Sequence, residues 1–162
     1  MEEHKEKKTY WPLIAVIIVS ILMGLALSMY ESAFLFMRYF LGSFLCLISL
    51  VKLFDLKGFH MAFMEYDLLA KRVGFYGWIY PFIELALGLG FFAGKYLIAV
   101  SFLTFLILVF GAFGVFQAMK DKKEITCACM GSVLKVPLTT VSLIEDVVMS
   151  LMALAMCFMQ LF

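Results

Sequence analysis

The sequence predicts an all-α integral membrane protein, a single membrane domain over residues 1–162 built as a bundle of about five transmembrane helices. Three observations carry this. Hydrophobic residues make up 65% of the chain and charged residues 15%, against about 45–50% and about 25% in a soluble domain. The apolar residues gather into separate runs, each long enough to cross the hydrocarbon core of a bilayer, which takes about 20 helical residues. The Lys and Arg residues between those runs fall mostly on one side, as they do in inserted proteins.

The first run predicts a helix over 12–30. Pro12 suits a first turn, where its missing N–H costs nothing, and Trp11 and Tyr30 bracket the run as interfacial aromatics do. With its charged leader and long apolar stretch, it could be read as a signal peptide. It is about 18 residues long, beyond the usual 7–15-residue core of such a signal, and meets no small-x-small cleavage pattern. A retained helix is expected. The second helix covers 33–54, with Arg38 near its start and Cys46 near its middle; the two-residue link before it makes the first pair antiparallel. Residues 59–72 are too polar to span. Phe59, Phe63, Tyr66 and Ala70 on one face and His60, Met64, Asp67 and Lys71 on the other predict an amphipathic helix lying in the interface, with an i, i+4 pair between Asp67 and Lys71. The third spanning helix covers 75–93, with Pro81 and Glu84 inside it. Gly94-Lys95 turns the chain into the fourth, 96–118. A polar segment, 119–140, carries Cys127-Ala128-Cys129. The fifth covers 141–161 behind a Thr139, Thr140 or Ser142 cap, with Glu145 and Asp146 in its first turns, where acidic groups complement the helix dipole.

An N-terminus in the cytoplasm puts Lys5, Lys7, Lys8, Lys52, Lys57, Lys71, Arg72, Lys120, Lys122, Lys123 and Lys135 inside. Only Lys95 and Arg38 are then left towards the outside, the asymmetry of a multi-pass protein of a bacterial inner membrane. On this orientation Cys127 and Cys129 face the cytoplasm. A net charge of +1 and the lack of a basic stripe argue against nucleic acid as a partner. No hydrolase triad, phosphate loop or haem motif is present.

The residues able to carry chemistry are few. Cys127 and Cys129 lie two apart in a polar segment, and Lys122, Lys123 and Lys135 favour their thiolates, the form that both exchanges disulfides and binds soft metals. They can cycle between dithiol and a strained, exchangeable disulfide, or hold Cu(I) with Met130 as a third ligand. A plain pair of loop cysteines is the bland alternative. Cys46 and Cys157 sit in apolar helices as small core residues. Within the membrane, Glu84 needs a partner, water or a proton, and Arg38, on the neighbouring helix, is the expected partner, for function or for packing alone. Glu145 and Asp146 serve the helix dipole, or else ligate a hard ion or relay protons for the thiols. His4 and His60 stand alone. Gly88 with Gly90 and Gly111 with Gly114 mark places where helices can approach closely, within one chain or in a homo-oligomer.

Several stretches together resemble the MauE/DoxX superfamily of small bacterial membrane proteins. They are Met37–Gly42, Lys52–Phe59, Tyr66-Asp67, Tyr80–Leu85 with Gly88, and Cys127–Gly131 with Val136-Pro137 and Glu145-Asp146. The resemblance covers about residues 37–160 and leaves the first helix as an addition. It implies a four-helix membrane core, an association with redox proteins and, for the methylamine-utilisation members, maturation of a disulfide-rich periplasmic enzyme subunit beside a thioredoxin-like partner; some relatives accompany heavy-metal transport. Glu84, Cys127 and Cys129 match family positions. The added helix departs from the pattern, because it places the cysteines on the cytoplasmic side, where thiols are kept reduced. Three readings follow. The first is a redox-associated membrane protein, a component rather than a self-sufficient enzyme, exchanging thiol and disulfide through Cys127 and Cys129 with a thioredoxin-like protein. The second is soft-metal handling through the same pair, with a metal chaperone as partner. The third is a non-catalytic scaffold subunit.

Overall fold

The computed structural model describes residues 11–29, 32–120 and 140–161. Among them the chain forms only helices: α1 (Trp11–Ser28), α2 (Ala33–Phe54), α3 (Leu56–Tyr66), α4 (Leu68–Arg72), α5 (Tyr76–Ala93), α6 (Leu97–Lys120) and α7 (Thr140–Leu161). Five of them, α1, α2, α5, α6 and α7, are long and apolar enough to cross a membrane. The fold is that of an all-α, multi-pass membrane protein, and the spans agree with the expected ones to within a few residues.

The helices alternate in direction and divide the bundle into two ends. One end holds the start of α1, the close of α2, the short helices α3 and α4, the start of α5, the close of α6 and the start of α7. The other holds the α1–α2 and α5–α6 links and the close of α7. The main packing partners are α1 with α2, α2 with α5 and α6 with α7; α5 with α6 and α2 with α7 join these pairs into one bundle. Its core is built from Phe40, Leu41, Phe44, Leu45 and Ile48 of α2, Leu87 and Phe91 of α5, Leu108 of α6, and Met149, Ala153 and Met156 of α7. In a bilayer, where lipid tails are as apolar as Leu, close backbone approach and van der Waals contact hold helices together. The α2–α5 crossing shows it. A Cβ added to Gly88 would lie 2.7 Å from Cys46 Sγ and 3.0 Å from the Gly42 carbonyl, and one added to Gly42 would lie 3.2 Å from the Gly88 carbonyl.

The expected amphipathic helix over 59–72 is two helices. It starts earlier, at Leu56, with Asp55 Oδ1 accepting from the Gly58 N–H at 3.0 Å, and it breaks at Asp67. That side chain belongs to neither face: it is buried, and its Oδ1 caps α4 by accepting from the N–H groups of Leu69 and Ala70 at 2.9 and 2.8 Å. Orphan N–H groups of a new helix outbid the Lys71 ammonium expected to pair with it; Lys71 acts on Asp67 through its charge alone. Of Tyr66 only the backbone, as the last residue of α3, is described. Of the expected apolar face, Phe59, Phe63 and Ala70 are buried: Phe59 stacks on Phe63 and on Tyr80 of α5, Phe63 meets the Tyr80 ring at a tilt, and Ala70 packs with them.

Candidate functional site

Helical periodicity in α2 and α5 points two stripes at each other. In α2, Leu41, Leu45, Ile48 and Lys52 recur at spacings of three and four, and all are buried. In α5, Gly77, Tyr80, Glu84, Leu87 and Phe91 do the same. Each stripe carries one charged residue, and because the helices are antiparallel the two meet. Lys52 Nζ donates to Glu84 Oε2 at 2.6 Å and Oε1 at 2.8 Å, with the side chains 6% and 4% exposed. Both carboxylate oxygens are thus engaged by one ammonium. The ammonium also lies over the Tyr80 ring at 4.9 Å and the Phe59 ring at 5.3 Å, both attractive placements for a cation. Lys52, expected among the charges of the cytoplasmic side, turns inward from the last turn of α2.

The expected Arg38–Glu84 pair is therefore not made. Depth along the bundle explains this. The part of α5 level with Arg38 is its last turn, about 10 Å beyond Glu84 at 1.5 Å per residue. There Arg38 Nε donates to the Phe91 carbonyl at 2.6 Å and Nη2 to the Phe92 carbonyl at 2.9 Å. These carbonyls belong to the last turn of the helix, which lacks internal donors and carries the negative end of the dipole. The guanidinium also lies 5.1 Å from the centre of the Tyr39 ring. Close by, Gly94 closes α5 in the left-handed conformation at φ 71°, and a Cβ there would collide with the guanidinium.

The third side of the site is α7. Leu143 packs against the Phe59–Tyr80 cluster and Met149 is part of the main core. Asp146 lies between them, three residues from each, and so on the same inward face. It is within electrostatic range of Lys52 and Glu84, and Glu145 of Asp146 and Lys52, but among the described residues neither acid forms an ion pair. Glu145 Oε1 is buried and has no hydrogen-bond partner among the described residues. With α7 starting at Thr140, neither acid is in its first turn. The dipole role expected of them falls off beyond that turn.

His60 stands apart from this group. Its ring stacks on Trp78 at 4.7 Å, and a Cβ on Gly77 would lie 2.5 Å from its Nδ1, which is buried with no partner among the described residues. Glycine at 77 is what lets α3 lie against α5. Cys46 and Cys157 are free thiols in the helix packing, as expected of them. Cys127, Cys129 and Met130, the expected catalytic or metal-binding set, lie outside the described residues. Among the described residues no three His, Cys, Asp or Glu side chains converge as a metal site would require.

No curated protein and no solved structure matches the chain. The profile of the family described as methylamine utilisation protein MauE matches residues 30–159, which takes in α2 to α7, the buried ion pair and the cysteine segment, and stops short of α1. A match over four-fifths of the chain, on a bundle of membrane-crossing helices, means that the chain belongs to the MauE family of membrane proteins.

Proposed function

We propose that this MauE-family membrane protein is redox-associated, with Cys127 and Cys129 exchanging thiol and disulfide with a thioredoxin-like partner. In each exchange one thiolate attacks a disulfide of the partner, a mixed disulfide forms, and the second thiolate resolves it. Two electrons pass to the partner, which leaves as a dithiol, and Cys127 and Cys129 remain as the disulfide. The observation that carries the reading is that the bounds of the family match take in the cysteine segment, residues 121–139, which joins the close of α6 to the start of α7. Both attachment points lie at the end of the bundle that holds the Lys52–Glu84 pair. The same reading places the protein in the bacterial inner membrane with its N-terminus and this end in the cytoplasm, on the basic-residue asymmetry.

The test is thiol labelling in intact cells of the full chain carrying Cys46→Ser and Cys157→Ser. A membrane-impermeant maleimide is applied before and after permeabilisation, with and without prior reduction. The proposal expects Cys127 and Cys129 to divide between dithiol and disulfide, and a Cys129→Ser or Cys127→Ser chain to accumulate a mixed disulfide with a thioredoxin-fold protein. A pair that stays fully reduced, with no mixed disulfide in either variant, overturns it. Stoichiometric Cu(I) bound by such a reduced pair and lost in Cys127→Ser would put metal handling in its place.

A further inference from the structure

We propose that α3 and α4 form a hinged cover over the Lys52–Glu84 pair, lifting from it as one unit to open the pair to the face of the membrane on which residues 55–75 lie. The inference does not rest on the cysteine reading. Its first support is what closes the pair. Lys52 stands in the last turn of α2, at an end of the bundle, yet its side chain is only 6% exposed. Its ammonium faces Glu84 and the Tyr80 ring, both of α5, and the Phe59 ring at 5.3 Å. Among these contacts Phe59 is the one that comes from an element outside the membrane-crossing helices. Phe59 is 1% exposed and stacks on Tyr80 at 5.9 Å. Phe63 and Ala70 continue the same seat beside Val115 and Ala118 of α6.

The second support is that this element is separable. A spanning helix cannot open in lipid, where its backbone groups find no other partner; at the membrane face, water supplies them. The outer side chains Lys57, Met61, Glu65, Leu69, Lys71 and Arg72 are exposed, which leaves the far side of the cover open. The joints are in place. The chain leaves the helical conformation at Asp55 (φ −136°, ψ 67°) and at Val73 (φ −125°, ψ 87°). At Gly74 an added Cβ would come no nearer than 3.9 Å to a neighbour, Met64 Sδ, and α5 then starts without a side-chain cap. The joint between α3 and α4 is tied instead. The Asp67 N–H donates to the Phe63 carbonyl at 2.9 Å, while Oδ1 accepts from Leu69 and Ala70. Loose ends and a tied middle make the two helices swing together. The energies of the two positions oppose each other. Closing takes Phe59 and Phe63 out of water, and opening relieves the ion pair of its desolvation cost. The cover therefore opens at a lower free energy than the bundle unfolds.

Hydrogen exchange of the full chain in lipid nanodiscs, read by mass spectrometry, tests this without any substitution. The amides of 56–66 and 68–72 should share one degree of protection, lower than that of 40–52 and 80–92. Reductive methylation with formaldehyde and a water-soluble borane reports the pair itself: Lys52 should react slowly beside the exposed Lys57 and Lys71. Phe59→Ala should raise exchange in 56–72 and methylation of Lys52 by the same factor, about a hundredfold for a buried Phe cut to Ala. Gly77→Ala, which acts on α3 through His60, should raise both in step. Protection of 56–72 equal to that of the spans, separate protection of α3 and α4, or faster exchange in either variant with Lys52 methylation unchanged would each overturn the proposal.

Discussion

Lys52 and Glu84 show how far a single side chain can set the energetics of its neighbours. With both buried in a bidentate contact, removing one partner strands the other as an uncompensated charge, at a cost of about 3–5 kcal/mol. Glu84→Leu alone should therefore lower stability in detergent or lipid unfolding by about that much. Lys52→Met with Glu84→Leu should recover most of it, since an apolar pair of similar volume is often neutral. A double variant no better than the single one would show that the pair is held for contacts other than its charge. The smaller residue-scale prediction concerns α6. Thr104 is fully buried and its hydroxyl has no partner among the described residues. Thr104→Val removes an unmet polar group at nearly constant shape and should stabilise the bundle by about 1 kcal/mol. The residues of the candidate site were unevenly legible in the sequence. Glu84 stood out because a carboxylate within an apolar run is conspicuous. Lys52 did not, because a lysine at the end of a spanning run looks like an interfacial charge; yet it is the fourth member of the stripe Leu41, Leu45, Ile48, Lys52, and the stripe, more than the distance from the helix end, decides which way it points.

At the scale of elements, the short helices α3 and α4 carry the clearest dependence on pH. Burial raises the Asp67 carboxyl above its ordinary range, against the opposing pull of the Ala70 and Leu69 N–H groups and the Lys71 charge. A raised value means that the folded state holds the proton more firmly than the unfolded one. The stability this contributes is fully present below the ordinary carboxylate range and is lost as pH rises through the raised value. Compared with Asp67→Asn, which keeps the capping oxygen and has no proton to lose, the parent chain should gain stability as pH falls from 7 towards 4. Thermal unfolding of the two chains across that range reads the difference, and a constant difference would show that Asp67 is not raised. The α3–α5 contact is equally specific: Gly77→Ala presses a methyl group onto His60 Nδ1 and should loosen α3, raising proteolytic cleavage in residues 55–75 while leaving the spanning helices intact. That a break falls at Asp67 was not legible from amphipathicity, because a period of 3.6 continues in register through 59–72. The signal lay in the chemistry of an Asp placed just before Leu68-Leu69-Ala70, where its oxygen can meet N–H groups two and three residues on.

For the whole molecule, the five spans were legible because each is a long apolar run, and only a helix satisfies its own backbone inside lipid. Beyond the α1–α2 pair, which its two-residue link makes neighbours, and the close approach marked at Gly88, which helices touch was not legible, since lipid-facing and partner-facing surfaces are equally apolar. Substituting Gly88→Val drives a branched side chain into Cys46 and the Gly42 carbonyl; it should separate α2 from α5, remove the Lys52–Glu84 pair with it, and abolish a stably folded chain as judged by gel filtration in mild detergent. A folded Gly88→Val protein with native stability would refute the described crossing.

Helix α1 lies outside the family match, and its principal neighbour is α2, on which it docks through a small-residue stripe: Ser20, Gly24 and Ser28 are buried, and Gly24 meets Phe36 and Phe40. The consequence is one of parity. Four crossings return a chain to the face from which it set out; a fifth sends its two extremities to opposite faces. With α1 ahead of the matched residues, this chain keeps the Lys52 end of the bundle on the same face as residue 11 and sends residue 161 to the other. A fusion at either terminus therefore addresses a different compartment, and an attachment that must sit beside the ion-pair end belongs at the front of the chain.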